Sequence, residues 1–462
     1  MDRTNSTTAS AEFASLCEQV EAAMARHQVP GVAVGLWHQG REYTAGFGVT
    51  NANHPLPVTS DTLFQIGSTT KTVTATAAMR LVERGRLDLD LPVCTYLPTL
   101  KLADADVAAR VSLRHLFTHT AGWEGDVFDN TGDGNDALAK MVERMAQVEQ
   151  LRPLGSLFSY NNAGFYLAGR AIEAVTGLSY EAAARELVLE PLGMVRSFFF
   201  AREVITDRVA VGHTVGEGGP TVNREWALTR ASNPVGGLVS TVVDQLRYAR
   251  FHLGDGTTED GERLLAPESM ALMQMPQVQA GSGTESVGVT WLLRSVGGTR
   301  IVEHGGSTNG QESAFVLVPA HGFALTVLTN ADRGAALHGE VTAWALRHYL
   351  GAGDPEPALL HLPASNLAAY GGRYSAPLWD IDVRPGNGDL VVQITRKAGF
   401  PTSDSPPMAS PPPMRAGFYA PDRLVVLDGP LKGGHGEFGR HPDGSIGWLH
   451  MMLRANRRQN PA

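Results

Sequence analysis

The chain has 462 residues, 43% of them hydrophobic and 18% charged, a composition of folded proteins with a large core and not of disordered ones. Its formal charge of −9, with no basic run, speaks against a nucleic-acid partner, and two cysteines, Cys17 and Cys94, are too few for a disulfide framework or a cysteine-rich zinc site. No run reaches the roughly 18 apolar residues of a membrane span, and the start, Met-Asp-Arg-Thr-Asn-Ser-Thr-Thr, lacks the apolar stretch of a secretory signal. The expectation is a cytoplasmic protein with no membrane partner. Of the 38 basic residues only Lys71, Lys101, Lys140, Lys397 and Lys432 are lysines, so a lysine with a chemical role must stand out by its context.

In chain order, residues 10–27 read as an amphipathic helix, with Ser10 as N-cap and Phe13, Leu16, Val20 and Met24 on the apolar stripe. After Pro30-Gly31, residues 32–37 and 43–47 form two strand-like runs joined at His38-Gln39-Gly40, a predicted hairpin. Helical patterns dominate residues 63–270. Strands return at 289–296, 301–304, 314–318 and 324–329, followed by a helix over 340–350 that Gly351 closes. The simplest assembly is an α+β sandwich: an antiparallel sheet of five or more strands, flanked by terminal helices, with a helical insertion. This unit spans residues 1–352, and 353–364, with Asp354-Pro355-Glu356-Pro357, reads as a linker. Residues 365–462 carry short runs at 370–374, 380–383, 390–395 and 424–427, which predict a small all-β domain. Pro406-Pro407 and Pro411-Pro412-Pro413 predict a stiff, exposed loop within it.

Three motifs can carry chemistry. Ser68-Thr69-Thr70-Lys71 opens a helix whose centre, residues 72–78, has no charge on any face and so reads as buried. A serine on the first turn of such a helix meets unpaired N–H groups, and a lysine three residues on shares its face. Partly desolvated, that lysine favours its neutral form and can take the serine proton. The bland alternative is an N-cap serine followed by a surface lysine. In Tyr160-Asn161-Asn162, extended backbone lets Tyr160 and Asn162 face one pocket; the alternative is a core tyrosine and a helix-capping asparagine. His304-Gly305-Gly306-Ser307 follows a strand, where glycines admit a substrate backbone and expose N–H groups; the alternative is an ordinary turn. His115 and His119 have a zinc-like spacing, but no glutamate follows His115 and no third ligand is evident, so no metal or other cofactor is expected.

Together, in this order, the motifs closely resemble the serine β-lactamase and penicillin-binding-protein superfamily. The likeness is strongest to its class C-like branch, with D-aminopeptidases, D-alanyl-D-alanine carboxypeptidases and family VIII esterases. The stretches 112–122, 190–194 (Glu190-Pro191-Leu192-Gly193-Met194) and 236–241 also look like this branch, and the resemblance runs over about residues 15–350. It implies that Ser68 is the acylated nucleophile, Lys71 its activating partner and Tyr160 a candidate base and leaving-group acid. It further implies that Asn162 orients the lysine and substrate, and that His304, Gly305, Gly306 and Ser307 form the substrate-binding edge. The N–H groups of Ser68 and Ser307 would form the oxyanion hole. A lysine usually stands where His304 does in β-lactamases, and a histidine grips a carboxylate more weakly. The implied function is a serine hydrolase of esterase or D-amino-acid peptidase/amidase type, acting through an acyl-enzyme on a small-molecule ester or amide, with β-lactamase activity weak at best. The alternative is an acylatable sensor with little turnover. The C-terminal segment resembles, more loosely, lipocalin-like domains of some relatives, and the loop 406–414 is expected to reach the cleft and limit substrate size. The sequence leaves the oligomeric state open.

Overall fold

A computed structural model describes residues 11–226, 228–281, 283–397, 399, 405 and 409–459. The expected cap Ser10 and the prolines Pro406 and Pro407 lie outside the described residues. Helix α1 (Ala11–His27) turns Phe13, Leu16, Val20 and Ala23 inward, with Met24 half-buried at the edge of the stripe. Strands β1 (Gly31–His38) and β2 (Arg41–Gly48) form the hairpin, in register from Gly31 opposite Gly48 to His38 opposite Arg41. Gln39 and Gly40 both take positive φ (51° and 74°), the tight turn whose twist matches that of its strands.

The insertion is built around α2 (Thr70–Glu83), in which every residue from Thr70 to Leu81 is buried. Threonine is a poor helix former, and here the hydroxyls are satisfied by bonding back: Thr72 Oγ1 donates to Thr69 O (2.8 Å) and Thr76 Oγ1 to Thr72 O (3.0 Å). Helix α3 (Ala163–Thr176), ended by Gly177 in the left-handed region, packs beside it.

The chain then returns to the sheet as β3 (Leu292–Val296), β4 (Thr299–Ser307), β5 (Glu312–Val318) and β6 (Phe323–Thr329), followed by α4 (Gly334–Leu350). The antiparallel order is β2-β1-β6-β5-β4-β3, extended past β3 by the two-residue strands Ser286–Val287 and Val278–Gln279. Strand alternation divides the core. Val32, Val34, Leu325 and Val327 meet α1 and α4, while Ala33, Val302, Phe315 and Leu328 meet the insertion.

Two expectations change here. Residues 289–291 are not strand: Gly288 N bonds Trp291 O (2.8 Å) and Thr290 has φ 75°, so a turn precedes β3. And 304–307 do not follow a strand but complete β4, paired with β5 out to Ser307 opposite Glu312.

The C-terminal segment is a closed antiparallel barrel of β7 (Gly372–Ser375), β8 (Trp379–Pro385), β9 (Leu390–Arg396), β10 (Met414–Ala420), β11 (Arg423–Val426), β12 (His435–Arg440), β13 (Ile446–Met451) and β14 (Arg454–Arg458). Tyr374, Ile381, Val392, Phe418 and Leu449 fill it. Closure removes the exposed edges that an open sheet of this size would carry. Among the described residues no helix is long and apolar enough to cross a membrane.

Candidate active site

Ser68 lies on a 3₁₀ turn, Gly67–Thr69, that leads into α2. Two glycines let β4 run against that turn. A Cβ on Gly306 would lie 2.0 Å from Ile66 O and 2.7 Å from Ser68 N, and one on Gly67 would lie 2.6 Å from Ser307 N. The backbone N–H groups of Ser68 and Ser307 thus border the same small space. Thr69 Oγ1 and Ser313 Oγ, 2.8 Å apart, and the bond from Ser313 Oγ to Ile66 O (2.7 Å) fasten the turn to β5.

Lys71 is fully buried, and its Nζ donates to Ser68 Oγ (2.9 Å) and to Val235 O (2.7 Å). The ammonium position lies 5.1 Å from the Tyr160 ring and 5.3 Å from that of Phe165. Burial, reinforced by the positive charge of Arg454 and opposed by Asp126, holds the Lys71 amine well below its usual value. Tyr160 is 5% exposed; burial raises its phenol, although a hydrogen bond with Ser68 works the other way. His119 stacks on the Tyr160 ring at 4.4 Å, its Nδ1 accepting from Asn161 N (3.0 Å). His115 is engaged with Ser112 Oγ at 2.9 Å, so both histidines of the zinc-like spacing serve local packing and capping.

Asn162 is close by, but its Nδ2 donates to Asp126 Oδ1 (2.8 Å), and Lys71 Nζ donates to Ser68 Oγ and Val235 O instead. His304, 2% exposed, uses Nδ1 on Gly305 O (2.6 Å), and its Nε2 has no hydrogen-bond partner among the described residues. Burial and the neighbouring Lys71 lower its pKa to about 3, so the ring is neutral at physiological pH.

The motifs meet at a cavity of about 530 Å³, lined by Ser68, Tyr160, Asn162 and the stretch His304 to Ser307. The barrel closes it. Leu378 and Trp379 from the start of β8, Arg396 from the end of β9, and Leu453 and Arg454 from the β13–β14 hairpin all line the same space. At the hairpin tip Met452 and Leu453 both have positive φ (53° and 63°), a conformation costly for side chains of this size. Docking supports it: Tyr160 N donates to Leu453 O (2.8 Å) and Ala455 N to Ser159 Oγ (3.3 Å). Arg454 then forks onto Asp126 (3.0 and 2.7 Å) and lies 4.8 Å from the Tyr160 ring. Neither Asp126 nor Arg454 stands out in the sequence, because no local motif frames them and their pairing joins residues far apart in the chain. Of the loop expected to reach the cleft, the described prolines 411–413 are not among the lining residues, and residues 406–408 lie outside the described ones.

A sheet sandwich with a serine–lysine turn at the junction with its helical insertion defines a β-lactamase-type serine hydrolase fold. A match to the Beta-lactamase family covers residues 18–349, and the chain belongs to that family. Over 347 residues it is 35% identical to "Penicillin-binding protein 4" of Amycolatopsis lactamdurans, spanning 73% of this chain and 91% of the relative. It is 34% identical over 319 residues to "Esterase EstB" of Burkholderia gladioli, spanning 62% and 80%. The crystal structure of SurE superposes with a TM-score of 0.74 at 25% identity, covering 97% of this chain and 99% of that one, barrel included.

Proposed function

We propose that the protein is a serine hydrolase that cleaves a small ester or amide through an acyl-enzyme on Ser68. The observation that carries this reading is the 2.9 Å contact from a fully buried, desolvated Lys71 to Ser68 Oγ. A neutral Lys71 takes the Ser68 proton as Oγ attacks the carbonyl carbon, and the oxyanion receives the N–H groups of Ser68 and Ser307. The leaving group departs with a proton from Tyr160, which regains one from Lys71; water then attacks the acyl carbon as its proton passes to Lys71, and Lys71 returns that proton to Ser68 Oγ as the carboxylic acid leaves. The raised phenol of Tyr160 suits a proton donor better than a base, which leaves Lys71 as the base. Asn162, held by Asp126, faces the substrate.

The neutral His304 supports ester or amide turnover over that of β-lactams, whose carboxylate it cannot pair with as a cation. The esterase relative favours the same side. The penicillin-binding relative keeps a second reading in play, an acylated sensor with slow release. Turnover of p-nitrophenyl butyrate separates them: wild type is expected to turn over steadily and Ser68→Ala to fall to background. One stoichiometric burst supports the sensor, and unchanged turnover in Ser68→Ala would overturn both.

A further inference from the structure

Beyond Ser307 the cavity continues past the end of the sheet, and its walls change character. Glu312 opens β5 directly opposite Ser307 and accepts a hydrogen bond from Ser307 Oγ (2.8 Å). Asp332, between β6 and α4, lines the same cavity, its Oδ1 accepting from Val215 N (3.1 Å). Ala335 and His338 supply the α4 wall and Arg396 the barrel wall. His338 contributes no charge there, since burial lowers its pKa to about 3.

Two carboxylates therefore share this end of the cavity, where the charge of Arg396 acts on both and that of Arg333 on Asp332. Burial and the nearby Asp332 push Glu312 up to about 8 despite the Ser307 hydrogen bond and Arg396, and Asp332 is raised as well. An acid pair in a reactive cavity is costly until a further cation arrives. A further polar group stands along the same wall: His304 lines the cavity, and its buried Nε2 has no hydrogen-bond partner among the described residues.

We infer that the protonated amine of an amine-bearing ester or amide is bound beyond Ser307, between Glu312 and Asp332, while its carbonyl lies at Ser68. This inference rests on the reading of Ser68 as nucleophile and narrows its substrate class. The amine can belong to the acyl group or to the leaving group.

The full-length protein decides this with two matched pairs of substrates at pH 7. The acyl pair is alanine p-nitrophenyl ester against its N-acetyl form; the leaving-group pair is 3-(aminomethyl)phenyl butyrate against 3-methylphenyl butyrate. In one pair kcat/KM is expected to favour the amine by about tenfold or more, and Glu312→Gln is expected to reduce that preference to near unity. Asp332→Asn serves as the second variant should Glu312→Gln fail to fold. Ester turnover with no amine preference in either pair would overturn the inference and leave the Ser68 reading standing. A preference that survives both substitutions would overturn the placement at Glu312 and Asp332. Absence of any Ser68-dependent turnover would instead remove the reading on which the inference rests.

Discussion

At Lys71, burial and the charge of Arg454 act in the same direction, and Asp126 only partly offsets them. A basic group whose folded value lies below its unfolded 10.5 holds its proton less tightly in the native state than in the unfolded chain. Its cost to stability therefore grows as pH falls from above 10.5 toward the folded value and is constant below that. Lys71→Met removes this cost, so its melting temperature relative to wild type should climb as pH is lowered from 10 to 7, while activity is lost. A gap independent of pH would show that Lys71 is charged in the fold. The same reasoning applies through Arg454. Neutralising it by Arg454→Gln leaves Asp126 unpaired and raises the Lys71 amine, so the acidic limb of the kcat/KM–pH profile should move to higher pH. Arg454→Lys keeps the charge and should move it less; an unmoved limb in Arg454→Gln would separate Arg454 from Lys71.

Among the secondary elements, the contact between β4 and the turn before α2 decides whether the oxyanion space exists. Gly306→Ala would place a methyl group 2.0 Å from Ile66 O, so the strand must retreat from Ser68. The expected result is a fall in kcat of about 100-fold or more, the scale of losing an oxyanion donor, and wild-type kcat would argue that β4 has no part in the chemistry. Elements governed by local pattern were legible in the sequence: α1, the β1–β2 hairpin, whose turn proved one residue shorter than His38-Gln39-Gly40, and the uncharged stretch that became α2. Glycine misled in β4, where Gly305 and Gly306 read as lying just past the strand although they are paired within it. It also hid β12 and β13, whose Gly436, Gly439 and Gly447 interrupt the alternation that marks a strand, while β14 (Arg-Ala-Asn-Arg-Arg) is too polar to read as one.

Across the whole molecule, the cavity belongs to both parts of the chain. The three motifs bring Ser68, Lys71 and Tyr160 together from the sandwich, and that much could be anticipated from spacing and resemblance. The Asp126–Arg454 pair could not, since it depends on how the barrel docks, which no local periodicity encodes. The pair is buried, with side chains 2% and 15% exposed, so breaking it from either side strands a charge. Asp126→Asn and Arg454→Gln should each destabilise the protein by about 3–5 kcal/mol, and the double variant by less than their sum. Additive losses in denaturant melts would mean that the two residues act independently. Whether Ser68 carries the acyl group is read by treating the protein with a p-nitrophenyl alkylphosphonate and mapping the adduct by peptide mass spectrometry. One equivalent of phosphonate is expected on Ser68, with activity lost in proportion to labelling; complete inactivation with the adduct on another residue would rule Ser68 out as the nucleophile.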